Sequence, residues 1–282
     1  MLRAACASLR RVVVVIDIVD PYRLRRSRTS VPRGISSALR PSFRPSGARH
    51  VAAASDASPI ASSSSTDMRT MKTPRDVLSF WFSEAAYFGA EPELMSSVAF
   101  MSAKAKTQWY AGTSADASCM PFVPTIEAAA AGHLDHLPEW SAHVDGKVAK
   151  LILFDQLTRN CFRGTPRAFA CDDKALALAR EMASEPSVVD VHAPAVVHFL
   201  TSPLIHSEDL ADQDLALAVN DALMRVAPDI ARFARGAIES HRDVVVRFGR
   251  FPHRNKSMGR ESTPEETAWL ASDEVPGWAK TQ

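Results

Sequence analysis

The residues best suited to chemistry lie in an apolar stretch, VAKLILFDQLTRNCFR, which runs from Val148 to Arg163. Its apolar side chains fall on every side of a helical wheel, and a helix that is apolar all round is normally buried. Charged groups at buried positions are costly unless they are paired and hydrogen-bonded. The stretch is therefore predicted either to hold a buried structural ion network or to present polar groups to a pocket. The polar residues concerned are Asp155, Gln156, Arg159, Asn160 and Arg163.

A second polar stretch, from Arg247 to Arg260, concentrates positive charge without any acidic residue. Arginine offers a planar set of donors that suits carboxylate or phosphate, and histidine can exchange a proton near neutral pH. Two interpretations stay open. The stretch forms an anion pocket, or its arginines pair with carboxylates such as Asp155, Glu208 and Asp243 and only fix helix ends. The candidate residues are Arg247, Arg250, His253, Arg254, Asn255 and Arg260.

A third segment, His206 to Asp209, stands where a long helix is expected to begin. Ser207 is predicted to be the N-cap of that helix. His206 and Glu208 would lie at its mouth, and together with Asp155 or His253 they could form a metal site of histidine and carboxylate ligands. No H-x-x-x-H spacing supports such a site. The other histidines and the tryptophans are expected at the surface or in the core: His133, His136, His143, His192, His198, Trp81, Trp109, Trp140 and Trp269.

The elements that must position these residues are all predicted to be helices. The segment from Thr73 to Asp76 supplies an N-cap, a proline in the first turn and an acidic third residue, which together predict a helix start. About nine such segments and no convincing strand predict an all-α fold for residues 71–282, as one domain of antiparallel helix pairs. Residues 112–121 are predicted to form a loop. The helix that begins near Ala193 is predicted to end before Pro203.

The first 70 residues differ in composition from the remainder of the chain. They hold 12 of the 33 Lys and Arg residues but only 4 of the 32 Asp and Glu residues, and Ser, Ala and Pro are abundant. This composition predicts a disordered targeting segment that directs the chain to a mitochondrion or a plastid. The alternative is a cytoplasmic protein whose start codon has been misassigned.

The body, residues 71–282, retains 21 basic and 28 acidic residues. Its acidic balance argues against non-specific binding of nucleic acid, and no apolar run is long enough to span a membrane. Cys119, Cys161 and Cys171 are odd in number and lack C-x-x-C spacing, which predicts reduced thiols rather than disulfides. The chain has no phosphate-binding loop, dinucleotide fingerprint or G-x-S-x-G motif, so no cofactor is predicted.

Three motifs follow one another along the body: DQLTRNCFRGTPRAFACD at 155–172, PLIHSEDLADQ at 203–213 and RFGRFPHRNKSMGRESTPEE at 247–266. Together they closely resemble a bacterial family known only as domain of unknown function 924, and PRDVLSFWF at 74–82 and IEAAAAGHLDHLPEW at 126–140 are similar to it too. The resemblance implies an α-helical, tetratricopeptide-like fold and no established activity. Where the family pattern reads D-Q-F-P-R-N, this chain has Thr158 in place of the proline. The helix is therefore expected to continue through Thr158.

The leading hypothesis is a polar pocket that the three polar stretches enclose and that binds a small anionic ligand, either a phosphate or a carboxylate. Whether a reaction takes place there is left open, and His253 is the candidate acid–base group. One alternative is a tetratricopeptide-like scaffold that binds a peptide or protein, with the polar stretches as internal struts. A weaker alternative is a metal-dependent hydrolase that uses His206, Glu208 and Asp155.

Overall fold

The computed structural model describes residues 70–185 and 187–280, and within these ranges the chain forms helices and no β-strand. The prediction of an all-α fold is confirmed for this part of the chain. The predicted targeting segment lies outside the described residues, apart from Thr70. The α-helices are α1 Pro74–Phe82, α2 Glu84–Phe88, α3 Val98–Lys104, α4 Thr113–Cys119, α5 Val123–Ala130, α6 Pro138–Ser141, α7 Val144–Leu151, α8 Thr158–Cys161, α9 Asp172–Ala183, α10 Val188–Val191, α11 Pro194–His206, α12 Leu210–Val226, α13 Pro228–Phe248, α14 Pro264–Leu270 and α15 Gly277–Lys280.

Helix α1 begins as its sequence predicts. The Thr73 hydroxyl accepts a hydrogen bond from the backbone of Asp76, whose carboxylate in turn accepts one from the backbone of Thr73, and Pro74 occupies the first turn. Such a capping box satisfies two backbone donors that the helix itself cannot use. The apolar face of α1 packs against α7, with Trp81 fully buried. The predicted loop at 112–121 is wrong, because α4 occupies most of it.

The apolar stretch singled out above forms one continuous helical rod, in which α7 leads into a π-helical turn, Ile152–Leu157, and then into α8. Every side chain of the π-helical turn is buried. The Thr158 hydroxyl donates to the Phe154 carbonyl oxygen at 2.5 Å, where a proline would have interrupted the helix. Helical turns of the π type are rare and are often found at functional sites.

Helix α11 departs from its predicted boundary, since it continues through Pro203 to His206. Proline lacks the backbone donor and costs roughly 3 kcal/mol inside a helix. The residues from Phe199 to Leu204 are all buried, so packing against α9, α12 and α13 outweighs that cost. The prediction that Ser207 is the N-cap of α12 is also wrong. Asp209 caps α12 by accepting from the backbone of Ala211, while the Ser207 hydroxyl donates to Asp212.

Helices α12 and α13 form an antiparallel pair joined by a single residue, Ala227. The Arg242 Nε donates to Asp214 near one end of the pair, and the Asn220 side chain donates to the Ala231 carbonyl near the other. Gly249 then ends α13 in the left-handed conformation, at φ 68°, as a helix C-terminus often requires. Among the described residues, no helix has the length and apolar character needed to cross a membrane.

Candidate functional site

A cavity of about 140 Å³ opens between the π-helical turn, α8, α11 and α13, and we call it the main cavity. Among the described residues that line it, Arg159 and Arg163 are the only ones of Arg, Lys, Asp or Glu type, and no carboxylate lines it. The wall is otherwise rich in aromatic, histidine and amide side chains. Its principal polar and aromatic residues are Trp109, Gln156, Arg159, Asn160, Arg163, Phe169, His198, Ser202, His206, Phe233, His241 and Trp278.

Asp155 lies fully buried beside this cavity, in the middle of the π-helical turn. Its Oδ1 is 2.7 Å from His206 Nδ1 and 3.1 Å from Arg159 Nη1, and its Oδ2 accepts from Gln156 Nε2 at 2.6 Å. Burial alone would raise the pKa of Asp155, but its interactions with His206 and Arg159 and the hydrogen bond from Gln156 lower the pKa to about 2. The carboxylate is therefore ionised at neutral pH and accepts hydrogen bonds on both oxygens.

His206 ends α11 and turns its Nδ1 toward the Asp155 carboxylate. Burial lowers the pKa of His206, although Asp155 acts in the opposite direction. The imidazole is therefore neutral at pH 7, with its proton on Nδ1 donated to Asp155. This tautomer leaves Nε2 as an acceptor, and His206 is one of the residues that line the main cavity. A carboxylate that orients an imidazole in this way is a common means of fixing a histidine tautomer.

Arg159 occupies the centre of the polar cluster, between two carboxylates. Its Nη1 donates to the Asp155 carbonyl oxygen at 2.7 Å, and its Nη2 donates to Asp172 Oδ2 at 3.0 Å. Its Nε is buried and has no hydrogen-bond partner among the described residues. Arg254 closes the same cluster from the C-terminal side, where its Nη1 donates to the His206 carbonyl oxygen at 2.9 Å. The guanidinium groups of Arg159 and Arg254 both pack against Phe169.

Arg163 forms the outer end of the polar wall. It pairs through two nitrogens with Asp116, at 2.9 and 3.1 Å, and contacts the side-chain oxygen of Asn160 at 3.4 Å. Asn160 uses its nitrogen to approach Cys119 Sγ at 3.6 Å. The structure thus brings five of the sequence-predicted residues to the main cavity: Gln156, Arg159, Asn160, Arg163 and His206.

Sequence reasoning missed two histidines of this cavity, His198 and His241. His198 is buried, and neither of its ring nitrogens has a hydrogen-bond partner among the described residues; burial lowers its pKa to about 4. His241 donates from Nδ1 to the Ala237 carbonyl oxygen, stacks on Trp278 at 3.7 Å, and has a pKa well below its ordinary value because it is buried. Because α11 continues through Pro203, residues 198, 202 and 206 share one helix face. The four-residue spacing of these positions was the sequence signal from which His198 could have been placed beside His206.

The arginines of the 247–260 stretch differ from Arg159 and Arg163, because most of them pair with carboxylates outside the main cavity. Arg250 pairs through two nitrogens with Glu266, and Arg260 pairs in the same way with Glu208. The exposed Arg247 pairs with two acidic residues on the surface. The side chains that complete this arrangement are Asn255, which donates to Ser262 and Glu266, and His253, whose ring packs near Phe251 and Trp278.

Comparison with known proteins agrees with the resemblance that the motifs carry. A family described as bacterial protein of unknown function, DUF924, matches residues 77–274, which is more than half of the chain. The chain belongs to this family. A protein of unknown function from Agrobacterium tumefaciens, of solved structure, is 34% identical over 56% of this chain and 85% of that chain, with a TM-score of 0.47. No curated protein matches this DUF924 chain.

A second cavity, which we call the acidic cavity, lies on the other side of the Asp155–His206 pair in this DUF924 protein and encloses about 170 Å³. Among the described residues, no three His, Cys, Asp or Glu side chains are grouped so that they could hold a metal ion. Glu208, which the metal-dependent alternative would use, is instead held by Arg260 and by the Phe251 backbone. The residues of the acidic cavity are Asp155, Asp172, Asp173, Leu176, Pro203, His206, Ser207, Glu208, Arg254 and Met258.

Proposed function

We propose that this DUF924 protein binds a small organic anion in the main cavity. The observation that carries the proposal is the composition of the wall: among its described residues, Arg159 and Arg163 are accompanied by two amide side chains and by no carboxylate. The wall has this composition although acidic residues outnumber basic ones in residues 71–282 of the chain. Arginine and amide donors that face a partly enclosed space suit a carboxylate or phosphate group.

The size and the apolar walls of the main cavity favour a compact carboxylate over a nucleotide or a sugar phosphate. A cavity of about 150 Å³ is large enough for a benzene molecule, and the main cavity encloses about 140 Å³. Trp109, Phe169, Phe233 and Trp278 contribute aromatic surface. A ligand such as benzoate would place its ring against that surface and its carboxylate at the arginines. Both arginines already have carboxylate partners, so we expect modest affinity.

The experiment is a thermal-shift titration of the full chain with benzoate, acetate, inorganic phosphate and the neutral benzyl alcohol. Benzoate is expected to raise the melting temperature, and benzyl alcohol is not. At 100 times its dissociation constant a ligand stabilises the folded state by about 2.7 kcal/mol, which corresponds to roughly 5–10 °C for a domain of this size. If phosphate alone raises the melting temperature, the proposal of anion binding stands, but the proposal that the ligand has an apolar part is wrong.

Two matched variants test whether the main cavity is where the anion binds. Arg163→Gln removes a donor of the cavity wall, whereas Arg180→Gln breaks a similar two-nitrogen pair, with Asp212, away from the cavity. The benzoate shift is expected to disappear in the first variant and to survive in the second. If no anion shifts the melting temperature, the rival proposal gains: a tetratricopeptide-like scaffold that binds a peptide or protein partner.

We also propose that residues 1–70 direct the chain to a mitochondrion or a plastid. The support is their composition, which is rich in Arg and Ser and poor in acidic residues, as is typical of transit segments. Fluorescence microscopy of these residues fused to a fluorescent protein tests the proposal. An even cytoplasmic signal would contradict it.

A further inference from the structure

The Asp155–His206 pair leaves His206 Nε2 as the acceptor nitrogen of an imidazole that is held in place. Asp155 is fully buried, its second oxygen is held by Gln156, and Arg159 lies 3.1 Å from its first oxygen. The 2.7 Å contact to His206 Nδ1 then fixes the ring orientation and the tautomer. The lone pair of Nε2 is the remaining functional group of the ring. His206 lines both the main cavity and the acidic cavity.

We propose that the main cavity is a hydrolytic site in which His206 is the general base, Asp155 is its positioning residue, and the substrate is a small ester that carries a carboxylate. The proposal rests on the anion binding proposed above. His206 Nε2 accepts a proton from a water molecule, and the resulting oxygen nucleophile attacks the acyl carbon. The bond from the acyl carbon to the alkoxy oxygen breaks, and the proton passes from the imidazolium to the departing alcohol. The products are a carboxylic acid and an alcohol.

The energetics of burial favour this assignment over a purely structural role. A buried ion pair is often no more stabilising than apolar residues of similar volume. Here a buried carboxylate and a buried guanidinium lie against an imidazole that is 12% exposed, at a π-helical turn of the kind often found at functional sites. A structural strut has no need of an imidazole that lines a cavity and whose second nitrogen is left as an acceptor. A general base needs that arrangement.

The groups around His206 also keep its imidazole unprotonated. Burial lowers its pKa, and the positive charges of Arg159 and Arg254 act in the same direction, while Asp155 raises it. A neutral imidazole is the form that can accept a proton at pH 7. The ring of His241 lies 5.7 Å away on α13. The remaining charged groups that line the acidic cavity beside His206 are Asp172, Asp173 and Glu208.

The experiment measures acetate release by proton NMR from two small esters incubated with the full chain. Acetoxyacetate carries a carboxylate, and acetoxyacetamide is its neutral match. We expect faster release from acetoxyacetate, inhibited by benzoate, and a loss of about 100-fold in His206→Gln, since a general base typically contributes 10²- to 10⁴-fold. His192→Gln, which changes a histidine outside both cavities, is expected to retain the wild-type rate.

The pH profile separates the positioning role of Asp155 from a structural one. The wild-type rate is expected to rise through an inflection below pH 6.5 and to stay level above it. In Asp155→Asn the rate falls about tenfold or more, and the inflection moves to lower pH because the carboxylate that raises the pKa of His206 is gone. Equal rates in wild type and His206→Gln, or no release above buffer, would overturn the proposal. A benzoate shift that persists alongside that result would leave the binding function standing.

Discussion

Two arginine-bearing segments that look alike in sequence differ in their position relative to the main cavity of this protein. In 155–163, Arg159 and Arg163 reach the wall of a cavity, where amide and histidine side chains accompany them. In 247–260, Arg250 and Arg260 are each closed onto one carboxylate by two hydrogen bonds, with no contribution to that wall. Residues 155–160 of the first segment are buried in the π-helical turn and α8, whereas most of the second segment follows the end of α13.

The difference shows that clustering of arginines along a chain does not report whether they are available to a ligand. The arginines of both segments have a carboxylate within reach, which often comes from a distant part of the chain, so the difference lies in whether the paired arginine also lines the cavity. Glu208 lies 52 residues from Arg260, and Asp116 lies 47 residues from Arg163. A fork-like pair with Arg satisfies both partners. Arg163 is paired with a carboxylate in the same way as Arg250 and Arg260, and what distinguishes it is that it also lines the main cavity.

The largest effect is expected from Asp155→Ala, because it removes the acceptor on which the buried cluster depends. Arg159 loses one of its carboxylates, and His206 loses its hydrogen-bond partner. Breaking a buried ion pair by removing one partner typically costs about 3–5 kcal/mol. Urea unfolding followed by circular dichroism measures the free energy, and Asp155→Asn, which keeps the shape, should lose less. A loss no larger than that of a surface substitution would mean that the cluster is not the structural centre of its region.

A smaller effect, with a defined pH dependence, is expected at Glu266, the carboxylate that pairs with Arg250 of the second segment. Its hydrogen bonds from Arg250, opposed by burial, lower the pKa from its ordinary 4.5 to about 2. The ionised carboxylate therefore contributes stability that is fully present above pH 4.5 and is lost as the pH falls toward 2. Glu266→Gln is expected to cost about 1–2 kcal/mol at pH 7, and less at pH 3.5. A difference between wild type and variant that is constant between these two pH values would contradict the assignment.

The sequence predicted the helices better than it predicted the residues of the main cavity, for physical reasons that individual residues illustrate. The capping box at Thr73 and the helix stop at Gly249 are local signals, and both are present in the structure. The course of α11 through Pro203 depends on packing against three other helices, which no local pattern reveals. His198 and His241 reach the main cavity together because α11 packs against α13. The π-helical turn around Asp155 likewise has no signal in the residue types.

The smallest effect is expected from Arg247→Gln, which tests the boundary between the two segments. Arg247 is well exposed, and both of its partners, Glu265 and Glu274, are exposed too. Exposed ion pairs contribute little, since water screens the attraction and holding long side chains in place costs entropy. The melting temperature should change by no more than about 1 °C, at low salt as well as high salt, and the benzoate shift should be intact. If benzoate binding were weakened here as much as in Arg163→Gln, the anion site would have to extend into the 247–260 segment, and the contrast between the two regions would fail.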